Sequence, residues 1–93
     1  MERIESRDLA AAPARRGAAF RPPSDVLSSR ELEVFRLLGL GRGTSQIADA
    51  LGVRPKTVQT FRTRIQQKLD LKGYMELIRE AVLWVALGAD VRR

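Results

Sequence analysis

Apolar residues recur at helical spacing in four stretches between residues 27 and 88. The first stretch follows a capping box, in which Ser28 and Glu31 are placed to satisfy each other's backbone amides. Its apolar stripe consists of Leu32, Val34, Phe35, Leu37 and Leu38. Gly41 is expected in the left-handed conformation that ends this first helix.

The positions of glycine and proline predict where three further helices begin and end. A short second helix covers about residues 44–51, and Gly52 makes the turn that follows it. The third begins at Pro55, which suits the first helical position because its missing N–H would be unpaired there anyway, and continues to about Leu69. The fourth covers about residues 74–87 and stops at Gly88. Four helices with short turns predict an all-α domain.

The chain is expected to divide into three parts. Residues 1–26 are predicted to be a flexible tail or linker, because their composition is biased toward alanine and Pro22-Pro23 favours extended backbone. Residues 27–88 form the predicted helical domain, and residues 89–93 a short C-terminal tail. Either the chain is a stand-alone protein, or the first part joined it to a further domain.

The amino-acid composition argues against several classes of function. The chain has no His and no Cys, which removes the commonest general base, the commonest metal ligand and any disulfide. We therefore expect no enzymatic activity, no cofactor, no metal and no small molecule bound by this domain. No apolar run approaches the ~20 residues that span a bilayer, so no membrane contact is expected. A cytoplasmic, nucleoid-associated protein is the predicted class.

The positive charge is concentrated in one stretch. The chain carries 17 Lys and Arg against 11 Asp and Glu, a formal net charge of +6. Residues 54–72 hold six of those basic residues against a single acid, Asp70, whereas residues 28–53 and 73–93 hold three of each sign. A solvated helix face is the alternative explanation, but such faces usually mix both signs. A polyanion is the predicted partner of residues 54–72.

The short second helix, the turn and the longer basic third helix form a helix-turn-helix pattern. At 100° per residue, the buried face of the third helix comprises Val58, Phe61, Ile65 and Leu69. The opposite side carries Lys56, Thr60, Thr63 and Gln67, flanked by Gln59 and Arg64. It contains no acid, and every one of those side chains can donate a hydrogen bond, so it suits base edges and phosphates.

These residues resemble a known family, the DNA-binding domain of the LuxR, FixJ and NarL regulators, which also occurs in the sporulation regulator GerE. Four blocks carry the resemblance in register: residues 27–34 (LSSRELEV), 46–51 (QIADAL), 56–60 (KTVQT), and Ile65 with Lys68-Leu69. The resemblance implies a four-helix LuxR-type helix-turn-helix domain that regulates transcription. It also implies dimers on paired half-sites, with the third helix in the major groove.

The resemblance assigns roles to individual residues. It implies base reading by Gln59, Thr60 and Thr63. It implies phosphate contacts by Lys56, Thr57, Arg62 and Arg64, to which we add Gln67 from the same outward face. Because the family dimerises through the fourth helix, the resemblance places the dimer interface at Val82, Val85 and Ala86. The expected partners are double-stranded DNA and a second copy of the chain on DNA, with RNA polymerase as a further candidate.

The chain departs from the family pattern at five positions that bear on function. Gln59 and Thr63 stand where several members of the family carry Lys or Arg, so base reading is expected to differ. Phe61 stands where His is common, and Arg64 stands where Asn is common, which adds charge beside the phosphates. Gly43 stands where a capping Ser is common, so the start of the second helix is weakened.

Two other functions remain open from the sequence. A promoter-recognition domain of a sigma factor also carries a basic helix-turn-helix. A protein-interaction module could instead use the apolar fourth helix to inhibit a larger regulator by forming heterodimers with it.

Overall fold

The computed structural model describes residues 22–88, and in this part of the chain it is all-helical. The helices are α1 (Pro23–Val26), α2 (Ser29–Gly39), α3 (Thr44–Leu51), α4 (Pro55–Lys68) and α5 (Tyr74–Ala86). The four predicted helices are confirmed as α2 to α5, each within about one residue of its expected ends.

The short α1 was not predicted. The sequence favours extended backbone at Pro22-Pro23. Pro22 is extended, but Pro23 is the first residue of a single helical turn. The turn closes when the Leu27 amide donates to the Pro23 carbonyl at 2.9 Å. The predicted tails otherwise lie outside the described residues.

Side-chain capping hydrogen bonds form at the starts of α2 and α3. The predicted capping box of α2 is confirmed: the Glu31 amide donates to Ser28 Oγ at 3.1 Å, and the Ser28 amide donates to Glu31 Oε1 at 2.8 Å. At α3 the Gly43 amide donates to Gln46 Oε1 at 2.8 Å. Because glycine has no side chain, only this half of a capping box can form there.

Two left-handed glycines set the turns around α3. Gly41 has a φ of 89°, and the Arg42 amide beyond it donates to the Leu37 carbonyl at 3.0 Å, which ends α2 as predicted. Gly52 has a φ of 69° after α3, and the Val53 amide donates back to Ala48 at 3.0 Å. The backbone between α3 and α4 is thereby fixed, so the two helices of the helix-turn-helix hold a defined relative position.

The core lies between α2 and the helices that pack on it, chiefly α4 and α5. Its buried apolar side chains come from every helix after α1 and from two connecting segments: Leu27, Val34, Phe35, Leu38, Ile47, Ala48, Val58, Ile65, Leu71, Leu77 and Ala81. The Phe35 and Trp84 rings meet at a centroid distance of 6.1 Å and a tilt of 56°, a favourable aromatic arrangement that joins α2 to α5.

Gly39 allows the close approach of α2 and α5. A Cβ at this position would collide with the Ala81 carbonyl and lie 2.7 Å from Val85 Cγ2. The close contact therefore depends on the absence of a side chain. It also places Val85 against α2, within the same chain.

Candidate nucleic-acid interface

The helix α4 presents two chemically opposite faces. Val58 and Ile65 are fully buried, and Phe61 and Leu69 are partly buried against the core, as the periodicity predicted. The opposite side is open to solvent and carries Lys56, Thr57, Gln59, Thr60, Thr63, Arg64 and Gln67, all of them exposed. The structure thus brings every predicted base-reading residue, and every predicted phosphate-binding residue except Arg62, onto one open surface, hereafter the outer face of α4.

The amino end of α4 favours an anion. Its first turn contains no acidic residue, and its N-cap residue, Arg54, makes no side-chain capping bond. Pro55 has no amide hydrogen, and the Thr57 and Val58 amides donate to the Arg54 carbonyl at 2.9 and 3.2 Å. The positive end of the helix dipole, beside the exposed Arg54 and Lys56, is therefore the feature that favours an anion. Phosphate oxygens are suited to such a helix start.

One cation of the basic stretch is already paired. Lys68 Nζ donates to Glu31 Oε1 at 2.7 Å, although the two residues are 37 positions apart in the chain. The Glu31 residue is only 3% exposed, whereas the Lys68 side chain is 41% exposed. The exposed cations left between residues 54 and 72 are Arg54, Lys56, Arg64 and Lys72.

The Lys68 contact sets the ionisation of Glu31. Burial by itself would raise the pKa of this carboxyl, and burial is the largest single influence. The hydrogen bonds from Lys68 and from Ser28, together with the Lys68 charge, outweigh it and hold the pKa of Glu31 below its ordinary value. The carboxylate therefore stays charged while it caps α2 and ties the end of α4 to it.

Arg62 has partners inside the domain. It is half-buried, its Nη1 donates to Thr44 Oγ1 at 2.8 Å, and its guanidinium carbon lies 4.4 Å from the centre of the Tyr74 ring. Its Nε is buried without a hydrogen-bond partner among the described residues. The side chain therefore connects the starts of α3 and α5 to α4. The sequence gave no sign of the contacts with Thr44 or Tyr74, and the phosphate role of Arg62 stays a prediction.

Two of the three threonine hydroxyls on the outer face of α4 bond to their own helix. Thr60 Oγ1 donates to the Lys56 carbonyl, and Thr63 Oγ1 donates to the Gln59 carbonyl, each at 3.2 Å. Both side chains remain exposed. Their hydroxyl hydrogens are therefore engaged before any ligand arrives.

The predicted dimer residues separate into two groups. Val82 is 43% exposed and Ala86 is exposed as well, whereas Val85 is half-buried beside Gly39. Met75 and Leu83, which the sequence analysis did not single out, are 76% and 46% exposed. Met75, Val82, Leu83 and Ala86 form the open face of α5, a largely apolar surface that also carries the exposed Arg79.

The described residues contain neither a candidate metal site nor a helix that could cross a membrane. Within residues 22–88, no group of three or more His, Cys, Asp or Glu side chains could hold a metal ion. No helix in the same part of the chain has the length and apolar character needed to cross a membrane.

Comparison with known proteins gives a family. Residues 25–81 match the model of the bacterial regulatory proteins, luxR family. Over 60 residues the chain is 45% identical to the oxygen regulatory protein NreC of Staphylococcus carnosus and to that of Staphylococcus haemolyticus. It is 43% identical to NreC of Staphylococcus aureus over the same length. These 60 residues are 64% of this chain but only 28% of each relative. No solved structure matches the chain.

Proposed function

Because the chain belongs to the luxR family of bacterial regulatory proteins, we propose that it binds specific sites on double-stranded DNA with α4 in the major groove. The domain is the helix-turn-helix DNA-binding domain of a transcription regulator. The family match favours this function over that of a sigma-factor-like promoter-recognition domain.

The outer face of α4 is the observation that carries the proposal. A major groove about 12 Å wide admits one α-helix, and it presents acceptors on every purine. The outer face of α4 meets it with amide and ammonium donors, threonine methyls and no carboxylate. Thr60 and Thr63 occupy its centre and Gln59 its flank, and these three are the proposed base readers. Lys56 and Thr57 lie toward the amino end of the helix, where phosphates are favoured.

The remaining proposed phosphate contacts surround that centre. Arg64 and Gln67 are exposed on the flank of α4 and farther along it. Arg62 keeps N–H groups beyond the one donated to Thr44, because a guanidinium carries five donors. Its anchoring by Thr44 and Tyr74 limits the rotamer entropy that a phosphate contact would cost.

We also propose that two copies bind DNA together through the open face of α5. Val82 and Ala86 form the centre of this seam, while Val85 lies at its edge because it packs on Gly39 within the chain. A two-fold dimer requires an operator with two inverted half-sites, ~10 bp from centre to centre. The same apolar face favours a second candidate function, in which the domain forms heterodimers with a larger regulator and inhibits it.

The proposals for the whole protein are coarser, because the matched segment spans 28% of the relatives' length. We propose that the chain acts in the cytoplasm at the nucleoid, contacts RNA polymerase when it regulates transcription, and has no enzymatic activity. The relatives are named oxygen regulatory proteins.

A selection experiment tests the proposal. Duplexes bound from a random library are sequenced and then assayed with Gln59→Ala and Lys56→Ala variants. We expect one enriched inverted repeat. Gln59→Ala should cost ~1–3 kcal/mol of discrimination at one base pair and leave non-specific binding nearly intact, while Lys56→Ala should weaken all sequences alike. Selection of no sequence, or equal effects of the two variants, would contradict base reading by the outer face of α4.

A further inference from the structure

The hydroxyls of Thr60 and Thr63 already act as donors within α4. Each bonds to the carbonyl four residues earlier, to Lys56 and Gln59 respectively, at 3.2 Å. A threonine hydroxyl has one hydrogen to donate and two lone pairs that accept. With the hydrogen engaged, the exposed part of each side chain offers a methyl group and an acceptor.

We propose that Thr60 and Thr63 read DNA through their methyl groups and select thymines at neighbouring base pairs. The inference rests on the proposed function, since it takes α4 to lie in the major groove. It goes further by naming the base and the chemical group that each threonine recognises.

The chemistry of base edges supports the methyl group over the hydroxyl. Guanine O6 and N7, adenine N7 and thymine O4 are acceptors, so a hydroxyl could bond to them only by giving up its bond inside the helix. Such an exchange of one hydrogen bond for another brings little net free energy. Adenine N6–H and cytosine N4–H could still donate to the hydroxyl lone pairs, and valine and serine substitutions separate that contact from the methyl contact. An apolar contact with the thymine C5-methyl leaves the internal bond intact and removes two apolar surfaces from water.

The geometry supports a pair of adjacent contacts. Residues three apart are neighbours on one helix face, and the rise between Thr60 and Thr63 is ~4.5 Å at 1.5 Å per residue. The base-pair spacing along one strand is ~3.4 Å. Two methyl groups at this separation reach neighbouring base pairs of a groove that runs along α4.

Other side chains on the outer face of α4 can donate hydrogen bonds, whereas the hydroxyl hydrogens of Thr60 and Thr63 are already engaged. Gln59 lies beside Thr60, and Lys56 lies one turn before it, and both are exposed. The Gln59 amide can donate to a purine acceptor beside the thymines, while the Lys56 ammonium lies toward the phosphates. We therefore expect a half-site in which thymines occupy the positions facing Thr60 and Thr63, next to a position that Gln59 reads through hydrogen bonds.

Paired substitutions separate the methyl from the hydroxyl. Valine keeps the branched shape and a methyl without the hydroxyl, whereas serine keeps the hydroxyl without the methyl. On the duplex selected by the wild-type chain, T60V and T63V should bind within about twofold of wild type. T60S and T63S should each bind about fourfold more weakly, the effect of one methyl group left unburied. Circular dichroism of each variant checks that the helices are retained.

Replacing thymine by deoxyuracil tests the DNA side of the same contact, because it removes only the C5-methyl. One deoxyuracil at the facing position should weaken wild-type binding about fourfold and should add little to the loss in the matching serine variant. The proposal is overturned if valine variants lose binding while serine variants keep it. It is also overturned if deoxyuracil at every thymine leaves wild-type binding unchanged, or if the selected half-site has no thymine there. Failure of the wild-type chain to select any duplex would instead overturn the proposed function itself.

Discussion

Among the glycines that the structure describes, Gly39 leaves the least room for a side chain. Replacing it with alanine would put a methyl group against the Ala81 carbonyl and 2.7 Å from Val85 Cγ2. Because the obstacle includes backbone of α5, the two helices must move apart. We expect Gly39→Ala to lower the free energy of unfolding by ~1–3 kcal/mol, despite the better helix propensity of alanine. Urea unfolding followed by the fluorescence of Trp84, the single tryptophan, measures this directly.

Gly43→Ala is the matched control for Gly39→Ala. A Cβ at Gly43 would have only Gln46 Oε1 nearby, at 3.9 Å, and the Gly43 φ of −84° suits any residue. We expect this variant to lose less stability than Gly39→Ala, ~0.5–1 kcal/mol, because alanine is a poorer N-cap residue than glycine. Equal stability of the two variants would show that the contact between α2 and α5 is looser than described.

Individual residues also show where sequence reasoning succeeds. Ser28, Glu31, Gly41 and Pro55 were placed correctly, because capping boxes, left-handed glycines and helix-starting prolines act over three or four residues. The buried and outer faces of α4 followed from the 3.6-residue period in the same way.

At the scale of elements, the Glu31–Lys68 pair ties the start of α2 to the end of α4. Because the pKa of Glu31 is lower in the folded domain than its ordinary value of 4.5, the pair stabilises the fold above that pH. The contribution is lost as the pH falls through the folded-state pKa. We therefore expect Glu31→Gln to cost ~1–3 kcal/mol at pH 7 and progressively less in acid.

Urea unfolding at a series of pH values between 7 and 3 measures this dependence. Glu33→Gln is the control, because the Glu33 side chain is 50% exposed and pairs with Arg30 on the surface. We expect that variant to follow the wild-type stability across the range, as surface pairs contribute little. A Glu31→Gln deficit that is the same at every pH would assign the effect to packing and not to the charge.

The contacts between helices could not be predicted from the sequence, and the reason is physical. Lys68 meets Glu31, and Arg62 meets Tyr74, only because of the angles at which the helices cross. Helical periodicity tells which side of each helix is apolar but not the crossing angle or the rotation against a neighbour. For the same reason the sequence grouped Val85 with Val82, although only the structure shows that Val85 turns toward Gly39.

At the scale of the whole molecule, the open face of α5 should control assembly on DNA. Val82→Glu places a charge at the proposed seam, where it meets its own copy across the two-fold axis and is desolvated. We expect binding to a full inverted repeat to fall toward half-site affinity, while half-site binding and melting stay near wild type. Gel-shift titrations on full and half sites measure both quantities.

Leu40→Glu is the matched control for the seam. Leu40 is 39% exposed, close to the 43% of Val82, but it lies after α2 and not on α5. The variant carries the same added charge, so it reports any general repulsion from DNA. If the two variants weaken full-site binding equally, the open face of α5 is not the dimer seam and is left for the heterodimer function.

We infer that α4 places its cations against DNA phosphates, so duplex binding should weaken steeply as the salt concentration rises. Four or five phosphate contacts per monomer predict a log–log slope of about −4 per bound monomer. Arg64→Ala should reduce the magnitude of the slope by about one, while Arg30→Ala, an exposed arginine of α2 paired with Glu33, should leave it unchanged. A slope near zero, or an equal change in both variants, would contradict the claim.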